Sequence, residues 1–186
     1  MGVKLGFKIS WVGFHGLTKA KALEIIEADD TGIIDEANEA PFSGAEIPGG
    51  WFILFSNDFG FVSKKRLESL SAKGTVVACQ VHEGVMVSAA YGYERGAEQW
   101  ALMHNSEYGI RDLSVSGSPP PAFEKIHDRL SKEQEINGGD NAGVDYFFGI
   151  PVEMAEASCA YRHDRWKFEW GQPLFTVLDI SSAQSR

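Results

Sequence analysis

Between Ala22 and Ser63 the chain has no lysine and no arginine. Nucleic-acid backbones and anionic membrane surfaces are bound by clustered Lys and Arg, so this stretch offers neither of them a footing. The whole chain leans the same way, with 17 basic residues against 26 acidic ones and a formal net charge of −9. The expected partners therefore include no nucleic acid and no membrane. Cysteine is equally scarce: Cys79 and Cys159 are the only two, too few for a disulfide framework, and both read as small buried hydrophobes. No apolar run approaches the roughly 20 residues that span a bilayer, and no apolar stretch with a small-residue cleavage site opens the chain. The expectation is a cytoplasmic protein. P-loop and dinucleotide fingerprints are missing as well, as are internal repeats, and no cofactor is expected.

What is present is a globular composition. Apolar residues make up 44% of 186, and aromatics 12%, enough to build one domain around large side chains. Leu5, Phe7, Ile9 and Trp11 alternate with Lys4, Lys8 and Ser10, the period of a strand with one wet face. Thr18 is placed to cap a helix through about Ala28, with Ala22, Leu23, Ile25 and Ile26 turned inward. Residues 29–50 have no sustained period and end in Pro48-Gly49-Gly50, which predicts a long surface loop. Trp51 to Phe55 is continuously apolar and predicts a strand buried on both faces. Ser63 can cap a short helix through Leu70, stopped at Lys73-Gly74.

Residues 75–104 predict a three-stranded antiparallel meander. With His82, Glu83 and Gly84 as a three-residue loop and Gly84 left-handed, Val81 faces Val85, Cys79 faces Val87 and Val77 faces Ala89. A four-residue loop at Glu94, Arg95, Gly96 and Ala97 then sets Tyr91 opposite Trp100, Ala89 opposite Leu102 and Val87 opposite His104. In this register one face is apolar, and a slip of one residue would mix in Gln80, Ser88 and Gln99. A strand near Leu113 to Ser116 follows. Next come a helix capped by Ser118 and opening at Pro119, a short strand at Val144 to Phe148, and a helix opening at Pro151. Trp166, Phe168 and Trp170 then alternate with Arg165, Lys167 and Glu169 ahead of Leu174 to Leu178, the pattern of a closing hairpin. The expected architecture is α+β: a single domain, residues 1–186, whose mainly antiparallel sheet has a central meander and three to four helices packed against it. Residues 165–186 are read as a hairpin-like C-terminal extension.

Three places could carry chemistry. His82, Glu83 and His104 could assemble a pocket, but strands two apart lie about 10 Å from each other, too far for two ligands of one metal, so no metal is expected. Arg162-His163-Asp164 places a cation at a helix C-terminus, with no nucleophile marked nearby. Gly138-Gly139-Asp140-Asn141 with Asp145 lacks the spacing of a calcium loop.

Several motifs carry a resemblance: Lys8-Ile9-Ser10-Trp11 with Gly16, Pro48-Gly49-Gly50-Trp51, Leu70-Ser71, Val76-Val77-Ala78-Cys79 with Val85-Met86-Val87-Ser88, Trp100 with His104, Val144-Asp145-Tyr146, Ile150-Pro151-Val152, and Tyr161-Arg162-His163-Asp164. Across most of residues 7–164 the chain resembles an uncharacterised bacterial protein family. The resemblance implies a shared fold and a bacterial source, and carries no activity. Members of that family have an acidic residue or His beside Glu83, where this chain has Gly84, and end soon after the Arg-His-Asp.

These features point away from catalysis, to a protein-interaction module, of the immunity type, presenting an acidic surface to a basic partner. Its contact residues would be Asp29, Asp30, Asp35, Glu36, Glu39, Trp166 and Trp170. The alternative is a small-molecule binding protein or hydrolase with a pocket on the helix-covered side of the sheet near His104, Trp51 and Trp100. The sequence fixes no oligomeric state.

Overall fold

The computed structural model describes residues 6–180, so Lys4, Leu5 and the last residues of the C-terminal extension lie outside the described part. Its strands are β1 (Lys8–His15), β2 (Ala28–Ile34), β3 (Phe42–Ile47), β4 (Trp51–Ser56), β5 (Thr75–His82), β6 (Val87–Glu94), β7 (Ala97–Asn105), β8 (Ser114–Gly117) and β9 (Thr176–Ile180). The helices are α1 (Lys19–Ile26), α2 (Lys64–Leu70), α3 (Ala122–Ile136) and α4 (Gly149–Cys159). All the strands join one nine-stranded antiparallel sheet in the order β2-β9-β3-β4-β1-β5-β6-β7-β8. The α+β expectation holds, and the helices cover both faces. Ile9, Trp11, Cys79 and Leu102 pack under α3 and α4, while Val12, Phe14, Leu54 and Ala78 pack under α1 and α2.

Coverage of both faces is why β1 has no wet side. Its inner residues are buried throughout, and Ser10 is accommodated by donating its hydroxyl to the carbonyl of Asp58 at 2.7 Å. The meander is present, but its register differs from the one the apolar pattern predicts. Cys79 pairs with Ala90 and Val81 with Ser88, and the left-handed residue is Met86 (φ 51°) rather than Gly84. Glu83 explains the delay. Its N–H donates to the Phe7 carbonyl at 2.8 Å and its carboxylate accepts from the Phe7 N–H at 2.9 Å, so the β1–β5 ladder runs on before the chain turns.

The second hairpin turns on two residues, Arg95 and Gly96, both at positive φ, as a tight hairpin requires. Gly92 now faces Trp100, Ala90 faces Leu102 and Ser88 faces His104. A Cβ on residue 92 would lie 2.1 Å from the Trp100 indole nitrogen, so only glycine fits opposite that ring. The polar residues that seemed to forbid this register are hydrogen-bonded or exposed. Gln80 donates to the carbonyls of Phe59 and Val62 and accepts from the Tyr91 hydroxyl; Ser88 donates to Phe148 O; Gln99 sits exposed at the bulge. A buried polar group with its partners in place costs little, and face polarity therefore could not decide the register.

Elsewhere the caps at Thr18 and Ser63 form as predicted, each side chain accepting from a first-turn N–H. The third helix starts at Ala122, not Pro119, and Ser118 does not cap it. Each residue that precedes a proline in Pro119-Pro120-Pro121 is pushed out of the helical region. Val144 to Phe148 is a turn rather than a strand, because Asp145 accepts from Phe148 N–H and Gln134 accepts from Tyr146 N–H. Residues 29–50 contain β2 and β3 instead of one long loop, and the chain end supplies the strand between them. Residues 165–175 form only a tight Phe168–Gly171 turn, and β9 pairs with β2 and β3 rather than with the Trp-rich segment.

Candidate functional site

His104, on β7, is fully buried under α3 and α4. Its Nδ1 lies 2.7 Å from the carbonyl of Asp112 and its Nε2 lies 2.8 Å from an Asp145 carboxylate oxygen. Both partners are acceptors, so the surroundings favour a ring protonated on both nitrogens. Burial pushes the imidazole's pKa down, but the hydrogen bonds to Asp145 and Asp112 outweigh it and hold the value above its ordinary one. With both nitrogens engaged, this ring has no free position from which to take a proton from a substrate. It serves as a tie between β7 and the turn that opens α4.

The other two residues of the expected pocket are elsewhere. His82 packs edge-on against Phe59 at 5.7 Å, on the opposite sheet face from His104, and Glu83 is engaged with Phe7. Among the described residues no group of three or more His, Cys, Asp or Glu is placed to hold a metal. Cys79 and Cys159 are free and buried as expected, and burial pushes the Cys159 thiol up to about 12, far from a reactive thiolate. In Arg162-His163-Asp164 the carboxylate is gripped by Arg162 at 2.6 and 3.0 Å. The Nδ1 of His163 is enclosed without a hydrogen-bond partner among the described residues, and burial lowers that imidazole to about 4.

The acidic residues of the second region divide into two kinds. Asp30 is ion-paired to Lys19 at 2.5 Å and accepts from Gly32 N–H; Asp35 is buried, its oxygens accepting from the N–H groups of Glu39 and Ala40. These two hold the chain in place. Asp29, Glu36 and Glu39 are exposed and form no ion pair among the described residues. Asp29 also sits directly opposite Asp179 in the β2–β9 ladder. Between Asp29 and Glu36 run Ile33 and Ile34, 63% and 56% exposed on β2, the outer edge of the sheet among the described strands. Just beyond, Glu36 and Trp166, the latter 74% exposed, line a cleft of about 230 Å³ with His163 and Phe175. Trp170 is committed to the fold: it stacks on Phe168 at 4.7 Å and its indole donates to the Ala160 carbonyl.

A third feature lies where the runner-up pocket was expected, but without His104. A cleft of about 370 Å³ opens between Trp51 and Trp100, roofed by Pro120, Ala122 and α4. Asp145 was weighed only as a ligand of the Gly138–Asn141 loop; its pairing with His104 was missed, although an acid inside the apolar run Val144 to Phe148 was a signal for a buried counter-charge. No family model, curated protein or solved structure matches this chain.

Proposed function

We propose that the protein is a noncatalytic interaction module that presents its β2 edge to a basic partner protein. The observation that supports this reading most is the Asp29–Asp179 pair. Like charges placed directly opposite each other in a sheet are unfavourable by roughly 0.2–1 kcal/mol, and a partner's Lys or Arg seated between them would reverse the sign. Ile33 and Ile34 would supply the apolar centre of the contact, while Glu36, Glu39 and Trp166 would extend it. The strip from Asp29 to Glu36 is about 23 Å long at strand rise, the scale of a single extended contact segment. Glu133, Glu135, Asp140, Glu153 and Glu156 are different in kind, since each pairs with an arginine. A toxin neutralised by an acidic immunity-type protein is the partner class such an edge suits.

The test is affinity capture with the full chain as bait, at about 50 mM and about 500 mM salt, beside the Asp29→Lys/Glu36→Lys variant. The reading expects a basic protein retained at low salt and lost both at high salt and with the variant. Retention of the same proteins by wild type and variant would remove the β2 edge from the account.

A further inference from the structure

The Trp51–Trp100 cleft is a built feature rather than a packing gap. Each indole rests on a glycine inside a strand: a Cβ at Gly13 would come 3.2 Å from the Trp51 ring, and one at Gly92 would come 2.1 Å from Trp100. Glycine in a strand interior weakens the strand, and here it lets both rings lie close to the backbone as fixed walls. Trp51 is held from its other side by His15 at 4.8 Å, and Trp100 is almost wholly buried. Val77 on β5 supplies the apolar floor, and Met154 faces it from α4. At about 370 Å³ the space falls at the small end of the range of ligand sites.

Glu94 is the charged residue of the lining. Its ion pair with Arg95 is long, at 3.9 Å, and both side chains are largely exposed, so the carboxylate is only loosely held. Aromatic walls with a carboxylate at the rim favour a cation attached to a flat apolar body. We propose that this cleft binds a small arylalkylamine-type ligand, its ring between Trp51 and Trp100 and its ammonium group at Glu94. The site is far along the sheet from β2, and its success or failure leaves the interaction reading untouched.

Tryptamine, indole and indole-3-acetate share one ring system and differ in charge. Titrating each into the full chain while following the indole N–H resonances of Trp51 and Trp100 by NMR tests both halves of the proposal. Tryptamine is expected to give saturable shifts at both resonances and to bind at least about fivefold tighter than indole-3-acetate, the scale of a partly exposed charge contact. E94Q should erase that preference and leave indole unchanged. A157W, at an exposed position of α4 facing the cleft, should abolish binding of all three. Q99R, on the exposed rim, should weaken tryptamine alone, and folding of each variant is verified by circular dichroism. No saturable shift with any probe, equal binding of amine and acid, or unchanged binding in A157W would each overturn the proposal.

Discussion

Two histidines in one protein show opposite outcomes of burial. His104 is enclosed with an acceptor on each ring nitrogen and is held above its ordinary pKa. His163 is half-buried and packed edge-on against Phe7 at 4.8 Å; its enclosed Nδ1 has no partner among the described residues, and its pKa falls to about 4. Burial opposes the charge in both cases; what differs is whether a carboxylate is within reach. Asp145 reaches His104, whereas Asp164, next in sequence to His163, is taken by Arg162. A neighbour in the chain is thus no guide to a partner in space, and a buried histidine has no default protonation state.

The largest effect that would break this comparison is at Asp145. Removing one member of a buried, hydrogen-bonded pair leaves the other charge without compensation, which typically costs about 3–5 kcal/mol. Asp145→Ala should fall in that range in urea unfolding, with an unchanged m-value. It would also leave Phe148 N–H without its acceptor at the opening of α4. A loss under about 1 kcal/mol would show that His104 is neutral and that its contact with Asp145 is an ordinary one.

The pH dependence of stability sharpens the contrast, because the two rings act on opposite limbs. His104 binds its proton more tightly in the folded state, so its contribution is complete below the unfolded value of 6.5 and is lost as pH rises through the higher folded value. His163 binds its proton less tightly when folded. As pH falls from 6.5 to about 4 the unfolded chain is protonated first and stability declines, by up to about 3 kcal/mol. Stability should therefore peak near the unfolded histidine value, with His163→Phe flattening the acid limb and His104→Phe the alkaline one. A profile that rises steadily from pH 5 to 8 would contradict the His104 assignment.

Some of this was open to reading in the sequence and some was not, for definable reasons. The strand at Trp51 to Phe55, the caps at Thr18 and Ser63, and the burial of both cysteines follow from local composition. The meander was legible as three strands, but its register depended on Phe7 holding Glu83 and on the Trp100 ring needing Gly92, contacts that face polarity does not encode. Strand β2 has exposed residues on both faces and so shows no period. It becomes a strand by pairing with β9, as in the bond from the Thr31 hydroxyl to the Val177 carbonyl, 146 residues away. At the candidate interface the acidic run was plain in the sequence. Which acids face outward was not, because Asp30 and Asp35 are separated from Asp29 and Glu36 only by partners that folding supplies.

The smallest expected effect is also the most discriminating for the two histidines. Replacing a buried polar group that has no partner by an apolar one of similar shape removes a desolvation cost without breaking a hydrogen bond. His163→Phe is therefore expected to be neutral or stabilising by up to about 1 kcal/mol at pH 7, the ring keeping its edge contact with Phe7. His104→Phe, with the same change of atoms, should be clearly destabilising, since it strands Asp145 and the Asp112 carbonyl together. The pair of variants compares partners at nearly constant volume, and thermal unfolding at pH 7 reads the difference directly. If His163→Phe costs as much as His104→Phe, then Nδ1 of His163 is bonded in solution, to an ordered water or to a ligand in the cleft it shares with Glu36 and Trp166.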